Sequence, residues 1–198
     1  YKQLESQANE HPADTRTLLF AGSFRNRVGD HPNALKYLER AVVTSPKKQM
    51  ILFEIGFAYL GAGEYQKAFD YFKTAYDLAP EYQDAKILLA ISALYNKDYS
   101  LAKETLAGVD ENAFLYDERI VAAYVGTGHL SEAVEIIERR AELNPNNAEI
   151  LFRLSAGYLM MQQRAKSVDV LRNIIKDFPQ HKDQAEYYIK EIQAGRNP

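Results

Sequence analysis

Large apolar and small residues recur along the chain at a fixed interval, and within each interval their spacing is helical. One column of large apolar residues comprises Leu38, Phe72, Leu106, Ile137 and Leu171. A column of small residues comprises Ala34, Ala68, Ala102, Ala133 and Ser167. Apolar positions three and four residues apart form one helix face, and small residues let two helices approach closely. The pattern therefore predicts an all-α chain of repeated helix pairs.

Prolines mark the ends of these intervals. Pro12, Pro46 and Pro80 are evenly spaced, whereas the distance along the chain from Pro80 to Pro145 is slightly shorter than two full periods. A fixed period of this kind is the signature of a repeat architecture, so the sequence predicts one solenoid over 1–198 with one shortened unit. Its predicted segments are a second helix of a truncated unit at 1–12, units at 15–48, 49–82, 83–113, 114–147 and 148–181, and a capping helix at 182–194.

The shortened unit and the first residues carry two further expectations. Gly108 ends the second helix of the third unit about one turn early, and we expect a helix to restart with Asp110 or Asn112 as its N-cap. A break in superhelical regularity is predicted near 107–114. Leu4 and Ala8 repeat later core positions one full period upstream, so we expect the chain to be the C-terminal end of a longer protein.

The second repeat, 49–82, carries nearly the whole motif of a known family. Its motif residues are Leu52, Gly56, Tyr59, Gly63, Tyr65, Ala68, Phe72, Ala75 and Pro80. This pattern resembles the tetratricopeptide repeat, and the resemblance extends over essentially the full chain. Other units depart from the motif at Arg25, Lys86, Asp117 and Arg140. The resemblance implies a right-handed superhelix whose first helices line a concave groove that holds another protein or peptide.

Helical spacing assigns the side chains that point into such a groove, and most of them are apolar. The expected partner-binding residues are Arg16, Arg27, Met50, Phe53, Phe57, Leu60, Ile87, Ile91, Leu94, Tyr95, Phe152 and Met160. Glu149, Ala156 and Leu159 share the same face in the fifth unit. A contiguous exposed apolar surface usually marks an interaction site. The alternative is that tight curvature or upstream units bury these side chains as ordinary core.

Composition disfavours several other classes of function. The 24 basic and 27 acidic residues leave a formal charge of −3, without a basic stripe for nucleic acid. No apolar stretch is long enough for membrane insertion of this segment. The absence of cysteine excludes thiolate chemistry but fits an oxidising compartment as well as a reducing one, so localisation stays open. Partners are therefore expected to be proteins or peptides.

The sequence indicates no active site, no cofactor and no metal site, so we expect a chain that is not an enzyme. The four histidines, His11, His31, His129 and His181, lie in turns or beside prolines and are interpreted as solvated turn residues. Their spacing does not pair metal ligands on one helix. Glycine-rich turns such as 61–63 lack the preceding strand and the Gly-Lys-Ser/Thr ending of a phosphate-binding loop.

Resemblance to particular family members separates three functional hypotheses. Chaperone adaptors of the family hold a terminal carboxylate with Lys, Asn and Arg; the corresponding sites here are Leu19, Ser23, Glu54, Asp84 and Leu88, so such a clamp is not expected. The leading hypothesis is a bacterial-type interaction scaffold. Residues 189–198 resemble the soluble tails of O-antigen ligase-type membrane proteins, which implies a docking module for a membrane glycosyl-transfer enzyme. The third hypothesis is self-association through the groove or an open N-terminal helix edge.

Overall fold

A computed structural model describes residues 6–8 and 10–197, and all regular structure within them is helical. The chain divides into two compact units, each larger than one repeat: the first unit is residues 1–110 and the second unit is residues 111–198. Helices of the first unit are α1 (Thr15–Arg27), α2 (His31–Thr44), α3 (Gln49–Gly61), α4 (Tyr65–Leu78), α5 (Gln83–Tyr95) and α6 (Tyr99–Ala107). Those of the second are α7 (Glu111–Tyr116), α8 (Glu118–Gly126), α9 (Leu130–Leu143), α10 (Ala148–Met160), α11 (Arg164–Asp177), a 3-10 turn (Pro179–His181) and α12 (Lys182–Gln193).

The turns between paired helices share one backbone conformation. Each contains a residue with left-handed backbone: Gly29, Gly63, Lys97, Gly128 and Gln162, with φ between 59° and 83°. Glycine adopts this conformation without steric cost, whereas Lys97 and Gln162 do so against the preference of L side chains. Helices α1, α3, α5 and α10 begin at the predicted openings Thr15, Gln49, Gln83 and Ala148.

The two residue columns meet where the helices of a pair touch. A Cβ added to Gly22 would lie 2.4 Å from Cγ of Leu38, and one added to Gly56 would lie 2.6 Å from Cε1 of Phe72. Leu38 and Phe72 are fully buried. The absence of a side chain on the first helix therefore makes room for a large apolar one on the second, and burying such a side chain contributes about 1.5–3 kcal/mol.

The fourth repeat, predicted at 114–147, differs from its predicted form. The second helix of the third repeat ends at Ala107 with Gly108 as C-cap, as predicted, and a helix restarts at Glu111. Phe114, the predicted opening of the unit, lies inside α7, and a second break at Asp117 separates α7 from α8. Asp117 is the N-cap of α8: its Oδ1 accepts a hydrogen bond from the Arg119 amide at 2.8 Å. The fourth repeat therefore has its first helix in two pieces, α7 and α8.

Two departures from the repeat motif, Asp117 and Arg140, compensate each other. In a continuous helix the Arg119 amide would bond the Leu115 carbonyl, but here Asp117 takes that amide. Arg140 donates from Nε to the Leu115 carbonyl and, at 2.7 Å, from Nη1 to Oε1 of Glu118. The arginine is 3% exposed and stands where the motif has a small residue. It supplies the donor that the helix break removes.

The two ends of the chain are described in part. Ala8 is fully buried against the apolar cluster that includes Leu18 and Leu38, whereas Leu4 and most of the predicted first helix lie outside the described residues. Helix α12 occupies most of the segment predicted as a capping helix. The single solenoid over 1–198 and the right-handed superhelix stay predictions. Among the described residues, none of the helices combines the length and apolar character that a bilayer crossing requires.

Candidate functional site

A cleft of about 790 Å³ lies in the second unit between α10 and α12. Its middle and far parts are mainly apolar, and its near end, where both helices begin, is polar. The apolar part comprises Phe152, Ala156, Leu159, Phe178, Tyr188 and Ile192. The polar end comprises Asn146, Asn147, Glu149, Arg153, Gln180, His181 and Gln184. Clefts of this size with a largely apolar lining and a few polar groups are typical of binding sites.

Phe152 occupies the place where the two walls meet. Its ring contacts the rings of Tyr188 and His181 edge-on, each with a centroid distance of 5.8 Å. Edge-to-face contacts of this kind are favourable because the positive ring edge meets a negative ring face. The side chain is half-buried, so part of it faces the cleft. Phe152 therefore both holds α12 against α10 and provides apolar surface.

Arg164 fixes the second wall of the cleft. Its guanidinium donates to the carbonyls of Ile192 and Arg196 at 3.1 Å and of Gly195 at 3.2 Å. The last carbonyls of a helix lack intrahelical partners, and a cation there also interacts favourably with the helix dipole. This one side chain thus anchors the end of α12.

At the polar end of the cleft, Arg153 is paired with a carboxylate from α8, that of Glu118. Glu118 accepts from Nη1 of Arg153 at 3.0 Å and from Nη1 of Arg140 at 2.7 Å. The Arg153 hydrogen bond, followed by the charges of both arginines, holds the pKa of Glu118 below its ordinary value, although partial burial opposes this shift. The same hydrogen bond raises the pKa of Arg153. The positive charge of Arg153 is therefore already paired with the Glu118 carboxylate.

The predicted groove residues of the second unit are partly at this site. Phe152 lines the cleft together with Glu149, Ala156 and Leu159, which the sequence placed on the same helix face. Met160, at the end of α10, is exposed and does not line the cleft. Nothing in the sequence indicated that Gln180, His181 and Gln184 would form the opposite wall. The available signal was the helical spacing of Tyr188 and Ile192, four residues apart, because it gives the capping helix one apolar face that must pack against a neighbouring helix.

The structure buries four of the predicted contact residues in the first unit. Phe53, Ile87, Ile91 and Leu94 are between 2% and 5% exposed and belong to the core, as the alternative interpretation of the groove allowed. They offer a partner almost no apolar surface. A binding role for the predicted set therefore depends on its remaining members.

Those remaining members of the first unit have some accessible surface. Phe57, Leu60 and Tyr95 are half-buried, and Met50, Arg16 and Arg27 are exposed. The Phe57 ring contacts Phe72 at 5.4 Å, and Tyr95 stacks on Tyr65 at 5.2 Å. The Arg16 guanidinium lies over the Phe20 ring at 5.7 Å.

The histidine interpretation needs correction. His31, His129 and His181 are half-buried, whereas His11 is exposed. His129 lies 3.0 Å from the hydroxyl of Thr127, and His181 packs on Phe152. These turns are covered by neighbouring side chains, so their histidines pack as well as face solvent. Within the described part of the chain, the His, Asp and Glu side chains form no group of three or more that could hold a metal ion.

Comparison with known protein families gives three matches, each described as a tetratricopeptide repeat. They cover residues 27–83, 59–124 and 149–181, together more than half of the chain. The chain belongs to the tetratricopeptide repeat family. In the repeat frame, the cleft uses the first helix of the fifth repeat and the capping helix.

Similar proteins come from distant organisms. The BBSome complex member BBS4 from Bos taurus is 27% identical over 169 residues, which cover 82% of this chain and 32% of that protein. The chain spans about a third of the length of the curated relatives it matches. A tetratricopeptide repeat protein from Parabacteroides merdae superposes with a TM-score of 0.67 at 17% identity, covering 98% of this chain and 84% of that one.

A second solved structure is YrrB, described as a tetratricopeptide repeat protein with an unusual peptide-binding site. It superposes with a TM-score of 0.55 at 19% identity and covers 94% of this chain and 97% of that one. At such identities the structural likeness shows a shared fold of helical repeats.

Proposed function

We propose that this chain is a protein-interaction scaffold that holds a peptide segment of a partner protein in the cleft of its second unit and catalyses nothing. The observation that carries the proposal is the cleft of about 790 Å³ between α10 and α12. Its lining combines Phe152, Leu159 and Tyr188 with polar groups at one end. Aromatic anchors surrounded by polar groups are the usual composition of peptide-binding surfaces.

The relatives support a protein partner. Proteins of the tetratricopeptide repeat family generally act as scaffolds without catalysis. YrrB is described as having a peptide-binding site, and BBS4 as a member of a multiprotein complex. Because one fold can serve many functions, the proposal depends on the cleft of this chain and uses the relatives as support.

The accessible groove residues of the first unit are proposed as a separate contact surface. Phe57, Leu60 and Tyr95 are half-buried, and Met50 is exposed. Arg16 and Arg27 add positive charge. Self-association and docking to a membrane glycosyl-transfer enzyme stay predictions from the sequence.

The experiment blocks the cleft without removing any core side chain. Ala156 is exposed and lines the cleft, so Ala156→Glu introduces a larger charged side chain there. The matched control is Ala165→Glu, an exposed alanine on α11 that does not line the cleft. Linear peptides are first selected against the full chain from a random displayed library. Their dissociation constants are then measured for the wild type and both variants.

We expect Ala156→Glu to weaken peptide binding at least tenfold and Ala165→Glu to leave it unchanged. Both variants should keep the helical circular dichroism of the wild type, because neither residue is buried. Equal binding by all three proteins, or a selection that enriches no peptide, would contradict the proposed function.

A further inference from the structure

We infer that the occupant of the cleft is an extended internal peptide segment of about four to five residues, apolar at one end and neutral or basic at the other. This inference rests on the proposed function and specifies its partner. Three properties of the cleft support it: the neutral amides on its walls, its length, and the charge at its polar end.

The polar end carries neutral amide side chains on both walls. Asn146 and Asn147 precede α10, while Gln180 and Gln184 lie on the opposite wall. Oδ1 of Asn147 accepts from the amides of Glu149 and Ile150 at 3.0 and 3.3 Å, and Nε2 of Gln184 donates to the Tyr188 hydroxyl at 3.1 Å. Both side chains keep one further amide group for a ligand.

Asn146 and Gln180 retain their full capacity. Neither amide has a hydrogen-bond partner within the described part of the chain, so each can donate and accept. An extended backbone needs both kinds of partner when it leaves water, because its N–H and C=O groups are not paired with each other. The interior of a helix satisfies these groups itself. The amides therefore match an extended chain better than a helix.

The length of the cleft sets the length of the extended segment. Glu149 and Leu159 lie at its two ends along α10, and ten helical steps of about 1.5 Å give a length of about 15 Å. Four to five extended residues at about 3.3–3.6 Å each span this distance.

Charge at the polar end favours an internal segment over a chain terminus. Arg153 lines the cleft but is paired with Glu118, and Glu149 also interacts with it electrostatically. A terminal carboxylate of a partner would therefore compete with two carboxylates for this guanidinium. A neutral or basic residue would be accommodated beside Glu149, because an opposite charge or a hydrogen-bond donor stabilises a carboxylate.

The test uses peptides selected against the full chain whose binding is lost in Ala156→Glu. Asn146→Ala and Gln180→Ala should each weaken these peptides about two- to tenfold, the effect of one hydrogen bond. Asn173→Ala, which removes an exposed amide on α11 away from the cleft, is the matched control and should change nothing. Replacing single backbone amides of the peptide by N-methyl groups should also weaken binding, and a free carboxylate at its polar end should weaken it further.

The outcomes separate this inference from the function on which it rests. Binding that depends on Ala156, is insensitive to Asn146→Ala and Gln180→Ala, and tightens when the peptide is constrained as a helix would overturn the inference and leave the proposed function standing. Peptides that bind equally to Ala156→Glu, or a selection that enriches none, would overturn both. Sensitivity to the amide variants and to N-methylation, with no effect of Asn173→Ala, would support the extended segment.

Discussion

Replacing Arg140 by methionine tests whether this buried arginine repairs the broken first helix of the fourth repeat. Arg140 is 3% exposed and donates to the Leu115 carbonyl, which belongs to a residue that is itself buried. Methionine keeps an unbranched apolar stem of similar length, so the change removes mainly the hydrogen-bonding group. Loss of this donor should destabilise α7.

The expected cost follows from three contributions. A buried carbonyl left without a partner costs about 1–3 kcal/mol. The ion pair with Glu118, whose side chain is 54% exposed, adds at most about 1 kcal/mol. Removing Nη2 of Arg140, which is buried without a partner in the described structure, returns about 1 kcal/mol. Together these contributions give about 0–3 kcal/mol with a centre near 1.5, so we expect Arg140→Met to lower the free energy of unfolding of the second unit by about 1.5 kcal/mol.

Urea denaturation followed by circular dichroism measures the change in stability, and hydrogen exchange localises it. Exchange should become faster over residues 111–126, where the helix break lies. Arg139→Met is the matched control because Arg139 is adjacent and its side chain is 51% exposed. It should change stability by less than about 0.5 kcal/mol. If Arg140→Met were as stable as Arg139→Met, with unchanged exchange over these residues, Arg140 would not perform the repair.

Two further predictions concern packing and pH. Gly56→Ala should lower the free energy of unfolding by about 1–3 kcal/mol in urea denaturation, because the added Cβ would lie 2.6 Å from the fully buried Phe72 ring. Gly108→Ala should have little effect, because the nearest atom to its Cβ is 3.5 Å away. Equal stability of the two variants would contradict the close approach. The pKa of Glu118 is lower in the folded state than its ordinary 4.5, mainly through the Arg153 hydrogen bond. Ionised Glu118 therefore stabilises the fold above pH 4.5, and this stabilisation is lost as pH falls through the folded-state pKa. Glu118→Gln should therefore reduce the loss of stability in urea titrations below about pH 4.5, and an unchanged pH dependence would argue against this role.

The sequence alone determined the all-α fold and the bounds of most helices. Columns such as Leu38 with Phe72, and glycine turns such as Gly63, repeat local chemistry at a fixed period. Helical spacing and turn conformation are properties of neighbouring residues, so they can be inferred without coordinates. The frame also placed Phe152, Ala156 and Leu159 on one helix face, which the cleft contains.

Other features were decided by contacts between residues distant in sequence. Asp117 and Arg140 stand out in the sequence as unrelated departures from the motif, and only the packing of α9 against the broken helix shows that they compensate each other. The burial of Phe53, Ile87, Ile91 and Leu94 likewise depends on neighbouring helices. An apolar side chain on a helix face has the same spacing whether a partner helix or solvent lies beyond it.

The cleft itself shows where local information ends. The sequence specified the apolar face of α10 and the inward side of α12, because each is a periodicity within one segment. Only the tertiary structure showed the polar wall formed by Gln180, His181 and Gln184. It also showed that Arg164 anchors the end of α12. A cavity exists only between elements, and its shape depends on how far apart packing holds them.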